Sequence, residues 1–239
     1  MRAQHTELAH ESQLKEEFLA TVCHELRSPL GAIQNAVKVL RAQPILNVPL
    51  LQKMHELIER QAAQMGQLVA GLLDITRVAR GELNLQREPI ELKAVLRNSV
   101  QTLEWDLQQR NHHLTISEPD AGVWLAADAA RLEQVFVNVL GNASKYTQVP
   151  GQIHLTLDLE GGNARVRIRD SGVGIAPETL PHIFDLFMQA QPIPPRTGSG
   201  LGIGLALVRA IVQAHGGIVT AASAGLGLGS EFTVCLPLA

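Results

Sequence analysis

Two apolar stripes at helical spacing, one directly after the other, open the chain and restrict it more than anything that follows. In the first, Phe18, Val22, Leu26, Leu30, Ile33, Val37 and Leu40 step by three or four residues, so one face of a helix from about Glu7 to Arg41 is apolar. In the second, Leu51, Met54, Ile58, Met65, Leu68, Leu72 and Ile75 follow a heptad-like seam from Leu50 to about Ala79, broken only by Gln61. Pro44 and Pro49 bracket the short link between the stripes, which predicts two antiparallel helices. A lone hairpin has one stripe per helix and little to bury it against. Pairing two hairpins into a dimeric four-helix bundle covers both stripes, so a homodimer is expected.

Gly81 and the polar stretch Glu82 to Pro89 mark a boundary, giving two expected domains at residues 1–80 and 81–239. Beyond it the pattern predicts helix from about Glu91 to Arg110, strand near Leu114 to Ser117 and helix from Asp128 to Lys145. Strands at Gln152 to Leu159 and Ala164 to Arg169 follow, joined by a hairpin turn at Glu160-Gly161-Gly162-Asn163. A helix from Leu201 to His215 and two strands ending at Leu236 complete the order, which predicts a two-layer α/β sandwich.

Composition excludes several classes of function. With 46% hydrophobic residues the chain can build ordinary cores, and a formal net charge of −3 with dispersed Lys and Arg argues against nucleic acid or an anionic membrane as the main ligand. Cys23 and Cys235 stand at opposite ends, so neither a disulfide framework nor a zinc site is indicated. No window offers the roughly 20 uninterrupted apolar residues of a membrane span, and the polar residues 1–17 lack the apolar core of a signal peptide. A cytoplasmic location is expected, compatible with a place inside a larger, membrane-anchored sensor.

Four motifs carry chemistry. His24 and Glu25 lie in Phe18-Leu-Ala-Thr-Val-Cys-His24-Glu25-Leu-Arg-Ser28-Pro29, with His24 turned about 200° from Val22 and Leu26 and hence off the apolar seam. A neutral imidazole is a competent nucleophile near pH 7, and a neighbouring carboxylate can hold its N–H. Pro29 inside this helical pattern is expected to bend it. Further on, Asn138, Asn142 and Lys145 fall at i, i+4 and i+7, on one helix face opposite Leu132, Val135, Phe136 and Val139. Amide oxygens suit a hydrated hard cation such as magnesium, and the lysine suits phosphate oxygens. Asp170-Ser-Gly172-Val-Gly174 then supplies a carboxylate acceptor followed by glycines that let backbone approach a planar ligand. Gly198-Ser199-Gly200-Leu201-Gly202-Ile-Gly204 opens a helix, where exposed N–H groups and the helix dipole favour anions. The preceding Gln189 to Thr197, with three prolines, reads as a mobile flap. Each pattern taken alone also has an ordinary reading: a surface His-Glu pair, a solvated helix face, a plain turn, a glycine-rich connection. His215 reads as helix-end structure and His112-His113 as strand surface.

In this order the pieces resemble the transmitter core of sensor histidine kinases of two-component systems. His24 lies in what resembles the H box, Asn138 to Thr147 the N box and Asp170 to Gly174 the first glycine box. Ile183 to Phe187 resembles the F box, Gly198 to Gly204 the second glycine box, and Gly227 to Phe232 the short motif before the last strand. The resemblance implies the histidine kinase, gyrase and heat-shock ATPase fold for the second domain. It further implies ATP and magnesium as cofactors, with His24 as phosphoacceptor and Glu25 as its orienter or base. Asn138 and Asn142 would hold the magnesium; Lys145 and the glycine-box backbone (Gly198, Ser199, Gly200, Leu201, Gly202, Gly204) would contact phosphates. Tyr146 would pack near the nucleotide, Asp170 would accept from the adenine amine beside Gly172 and Gly174, and Phe184 and Phe187 would seat the lid. Hydrolytic relatives carry glutamate where Asn138 stands, and an amide cannot deprotonate water, so ATP is kept for His24. The expected partner is a response regulator whose aspartate receives the phosphoryl group. Ser28 stands where the family more often has Thr or Asn, which implies only a weak regulator phosphatase activity. An ATP-binding switch and a non-catalytic dimeric scaffold are the competing readings.

Overall fold

The computed structural model describes residues 20, 22–23, 26–42, 48–80, 82–186, 188 and 202–238. The expectations placed on Phe18, His24, Glu25, Phe187, Gly198, Ser199, Gly200, Leu201 and the segment 189–197 lie outside the described residues. The described residues fall into two compact units, a helical one ending at Leu73 and a second that takes up everything from Asp74 onward.

In the helical unit, residues 26–42 form a continuous helix (α1) that includes a buried Pro29, and α2 follows at Val48–Ala79. The two apolar stripes are present but thinly covered. Leu26, Ile33, Val37 and Leu40 on α1, and Leu51, Met54, Ile58, Met65, Leu68 and Leu72 on α2, are only half-buried. Among the described apolar side chains of this unit, only Ala36 and Pro29 are buried. No helix among the described residues is long and apolar enough to cross a membrane.

The second unit follows the order β1 (Glu88–Glu91), α3 (Leu92–Gln109), β2 (His113–Ser117), β3 (Trp124–Ala127) and α4 (Ala129–Tyr146). It continues with β4 (Gln152–Glu160), β5 (Asn163–Asp170), a short 3-10 turn at Leu180–His182, α5 (Gly204–Ala214), β6 (Ile218–Ala222) and β7 (Ser230–Pro237). Five strands form one sheet in the order β2-β4-β5-β7-β6, with only β2 and β4 parallel. Strict alternation sets its faces: Ile153, Leu155 and Leu157 of β4, Ala164, Val166 and Ile168 of β5, and Phe232, Val234 and Leu236 of β7 all enter one core. Leu132, Val135, Phe136 and Val139 of α4, with Val208, Ile211 and Val212 of α5, meet them there, fully shielded from solvent. This is the expected two-layer sandwich.

Local chemistry explains the element ends. Glu91 caps α3 by accepting from the Ala94 N–H, and Asp128 caps α4 by accepting from the Arg131 N–H at 3.1 Å. Gly161 and Gly162 take φ of 58° and 79°, the left-handed pair that a two-residue hairpin requires between Glu160 and Asn163. Three details differ from the sequence reading. The helix expected from Leu201 begins at Gly204, because Gly202 sits at φ 66°, incompatible with a right-handed helix. β1 and β3, four residues each, pair with one another as a separate antiparallel ribbon that was not expected. His112 precedes the strand and is not surface: its Nε2 bonds the Ser144 carbonyl at 2.9 Å, and its Nδ1 is buried. Exposed His113 matches the surface reading.

Candidate nucleotide site

α4 is built so that one face must be buried and the other cannot be. Its apolar side is inaccessible, while Asn138, Asn142, Lys145 and Tyr146 are half-buried on the rest of the helix. The start of α5 comes up against this polar face. A Cβ placed on Gly204 would lie 3.3 Å from Asn138 Oδ1, so the glycine permits a close approach of the helix N-terminus to the amide. Lys145 Nζ stands 5.1 Å from the Tyr146 ring centroid, a cation–π distance.

The C-terminal end of β5 forms the other side. Asp170 is buried, with Oδ1 accepting from the Gly172 N–H at 2.8 Å and the Ser230 N–H at 3.3 Å, and Oδ2 accepting from the Ser230 hydroxyl at 2.5 Å. Glycines let the surrounding loops interlock. A Cβ on Gly172 would clash with the Tyr146 carbonyl, and one on Gly174, at φ 69°, with the Gly225 carbonyl. The Val173 N–H donates to that same Tyr146 carbonyl at 3.1 Å, while Gly227 and Gly229 donate back to Val173 and Gly172. The Ser223 hydroxyl accepts from the Ile175 N–H at 3.0 Å and donates to the Gly229 carbonyl at 2.7 Å. The first glycine motif, the closing motif and the end of α4 are thus one hydrogen-bonded assembly with Asp170 fixed inside it.

Phe184 packs edge-on against Phe232 with centroids 6.3 Å apart, anchoring the segment that leads toward residue 189. Next to it, Asp185 bonds His182 at 3.0 Å and Arg209 of α5 at 3.2 Å, and these partners, His182 foremost, lower its pKa. Ser28 is helical and exposed. The structure therefore brings Asn138, Asn142, Lys145, Tyr146, Asp170, Gly172, Gly174, Gly202 and Gly204 into one unit.

Sequence reasoning missed two supports, Ser230 and Asp74. Ser230 was legible in principle, since a serine opening a strand next to a glycine lies in register with Asp170 across β5 and β7. His215 ends α5 as its helix-end reading expects, and it is buried there; its Nδ1–H donates to the Ile211 carbonyl at 2.8 Å and its Nε2 accepts from the Asp128 N–H at 3.0 Å, tying the end of α5 to the cap of α4. Burial lowers its pKa, so it rests neutral in that tautomer. Asp74, also buried, accepts from Arg131 at 2.7 Å and Gln134 at 2.9 Å. Burial would raise its carboxyl, but those hydrogen bonds and the charges of Arg131 and Arg77 outweigh it and hold it below the ordinary carboxylate range.

An amide-bearing helix, a buried carboxylate at a strand end and a glycine-opened helix, on a mixed sheet covered by helices, define a nucleotide-binding α/β module that follows a helical unit. Residues 14–81 match the model of the His Kinase A phospho-acceptor domain, and residues 127–239 that of the histidine kinase-, DNA gyrase B- and HSP90-like ATPases. The chain is 38% identical over 240 residues to the sensor histidine kinase TrcS of Mycobacterium tuberculosis, covering 97% of this chain and 46% of that protein. It is 28% identical to the sensor protein SrrB of Staphylococcus aureus, covering 94% of this chain and 38% of that one. Among solved structures it resembles the Acinetobacter baumannii histidine kinase AdeS, at 25% identity and TM-score 0.66 over 90% of this chain and 98% of that one. Full-length ShkA, solved in complex with AMPPNP, matches at 28% identity and TM-score 0.66 over 93% of this chain and 46% of that one. The chain belongs to the sensor histidine kinases and has the form of their transmitter core. It spans less than half the length of the curated relatives it matches. The readings as a nucleotide switch or a bare scaffold are not favoured by these matches.

Proposed function

We propose that the chain is an ATP-dependent protein-histidine kinase that phosphorylates His24 and passes the phosphoryl group to an aspartate of a response regulator. The observation that carries this is the approach of Gly204 to Asn138 in the unit that also fixes Asp170, since it supports phosphate and adenine ends for one nucleotide. Asp170 accepts from the exocyclic amine, Gly172 and Gly174 leave room for the ring, and Lys145 and the backbone from Gly198 to Gly204 hold phosphate oxygens. Tyr146 packs beside the nucleotide, with Phe184 and Phe187 seating the lid.

The donor set fits magnesium carried with the phosphates. No cluster of three acidic, His or Cys side chains suited to a metal occurs among the described residues, so the protein's part is the amide oxygens of Asn138 and Asn142. When bound, the ion neutralises charge on the β- and γ-phosphates. An imidazole nitrogen of His24, with Glu25 holding the ring's other N–H, attacks the γ-phosphorus as the P–O bond to ADP breaks; the product is phosphohistidine and ADP. Asn138, an amide, offers water no base. Residues 1–80 would form the dimerising phosphoacceptor domain and 81–239 the catalytic domain, the half-buried stripes of α1 and α2 supporting a homodimeric bundle. Exposed Ser28 would support weak dephosphorylation of the regulator.

The test is incubation with γ-labelled ATP and magnesium. Label should enter wild type, be lost in acid and kept in base, and be absent from His24→Gln, which should bind ATP nearly as well as wild type. Acid-stable label, or label surviving His24→Gln, would overturn the proposal.

A further inference from the structure

The sheet has a second face. Side chains of β4, β5 and β7 that alternate away from the core, among them His154, Thr156, Arg167, Arg169 and Glu231, line a cavity of about 540 Å3, with Leu228 of the preceding turn as a wall and Asp170, Ser171 and Gly227 at its end nearest the tip of β5. That volume lies within the roughly 300 to 1,000 Å3 typical of small-molecule sites.

Charge is unevenly committed on this face. β5 is the central strand, and Arg165, Arg167 and Arg169 all project outward from it. Arg165 pairs with Asp158 and Glu160. Arg167 gives Nη2 to Asp158 at 2.6 Å and stays partly exposed. Arg169 is exposed and has no ion pair among the described residues, although register sets it between His154 and Glu231. Residues two apart on a strand have their Cα atoms about 7 Å from each other on the same face, within reach of long side chains that converge on one ligand. An oxyanion between Arg167 and Arg169 satisfies both, and the guanidinium fork matches phosphate oxygens in particular. Thr156 and His154 add donors on the β4 side.

We propose that this cavity binds a small phosphorylated anion between Arg167 and Arg169, at a site apart from the polar face of α4. A concave site of this size suits a small molecule better than an acidic protein surface.

The test is calorimetric titration of the full chain with inorganic pyrophosphate at low salt, comparing wild type, Arg169→Gln and Arg97→Gln. Arg97 is an exposed arginine on α3 paired with Glu118, and it controls for loss of one positive charge. Any pyrophosphate held on the α4 side contributes equally to all three proteins. Arg169→Gln should weaken binding about fivefold to tenfold, Arg97→Gln should not, and added NaCl should weaken the Arg169-dependent part. Should Arg169→Gln fold poorly, Arg169→Lys keeps the charge without the fork and should still bind more weakly than wild type. Equal affinity in all the variants overturns the proposal, as does an acidic peptide that binds through Arg169 more tightly than pyrophosphate.

Discussion

Leu132, Phe136 and Val139 on α4 are sealed from solvent, whereas Met65, Leu68 and Leu72 on α2, just as apolar and just as regular in spacing, keep part of their surface in water. The α/β unit supplies a sheet to cover its helices. The described helical unit supplies two helices, and their stripes stay half open. Periodicity thus identifies the face to be buried, but whether the same chain provides the cover is a separate matter of architecture. Under the proposed homodimer the second copy completes the helical core, and each unit should then respond to mutation in its own way.

The largest effect should come from Phe136→Ala, which leaves a cavity in a closed core and should cost about 3–5 kcal/mol. Urea unfolding should show that loss at every protein concentration. Leu72→Ala should behave differently if, as the proposed homodimer has it, the second copy is its cover: association measured by sedimentation should weaken, and the unfolding midpoint should depend on concentration. If Leu72→Ala left association unchanged, the contrast between the units would fail.

Asp74 is the next point of contrast, a buried carboxylate near the end of α2 that is satisfied by residues of α4. Asp74→Ala should cost about 1–3 kcal/mol at neutral pH by leaving Arg131 and Gln134 without their acceptor. Since its folded pKa is lowered, the stabilisation is fully present above the unfolded value of about 3.9 and is lost as pH falls through the folded one. Wild type and variant compared by urea unfolding should therefore converge in strong acid. A gap that persists there would mean the carboxylate's charge is not what stabilises the contact.

The hairpin between β4 and β5 and the polar face of Asn138, Asn142 and Lys145 could be read from sequence because each is set by residues within a few positions. Alternation, helical spacing and a pair of glycines carry their own geometry. What escaped reading depends on distant partners. β1 and β3 are four residues each and exist because Glu88–Glu91 finds Trp124–Ala127 across the whole of α3. Ser230 matters through Asp170, 60 residues away, and Asp74 through Arg131, 57 residues away. The start of α5 was misplaced because a glycine run does not announce which member takes positive φ; here Gly202 does.

The smallest expected effect belongs to His215, and it separates from Asp74 by pH. Burial lowers its pKa, and both ring nitrogens are engaged, Nδ1 as donor to Ile211 and Nε2 as acceptor from Asp128. Protonation would place a hydrogen on Nε2, against the Asp128 N–H, so the folded state resists a proton that the unfolded chain takes up near pH 6.5. Stability is then full above about pH 6.5 and declines as pH falls from there through the folded pKa, where it levels off. His215→Gln removes that titration and should cost about 1 kcal/mol at pH 8, with a shallower loss between pH 7 and 5 than wild type. The cost should also reach the nucleotide site, because Asp128 caps the helix that carries Asn138, so ATP affinity should fall modestly and in parallel with stability. Identical pH dependence in the two proteins over that interval would show that His215 is not held neutral by its two hydrogen bonds.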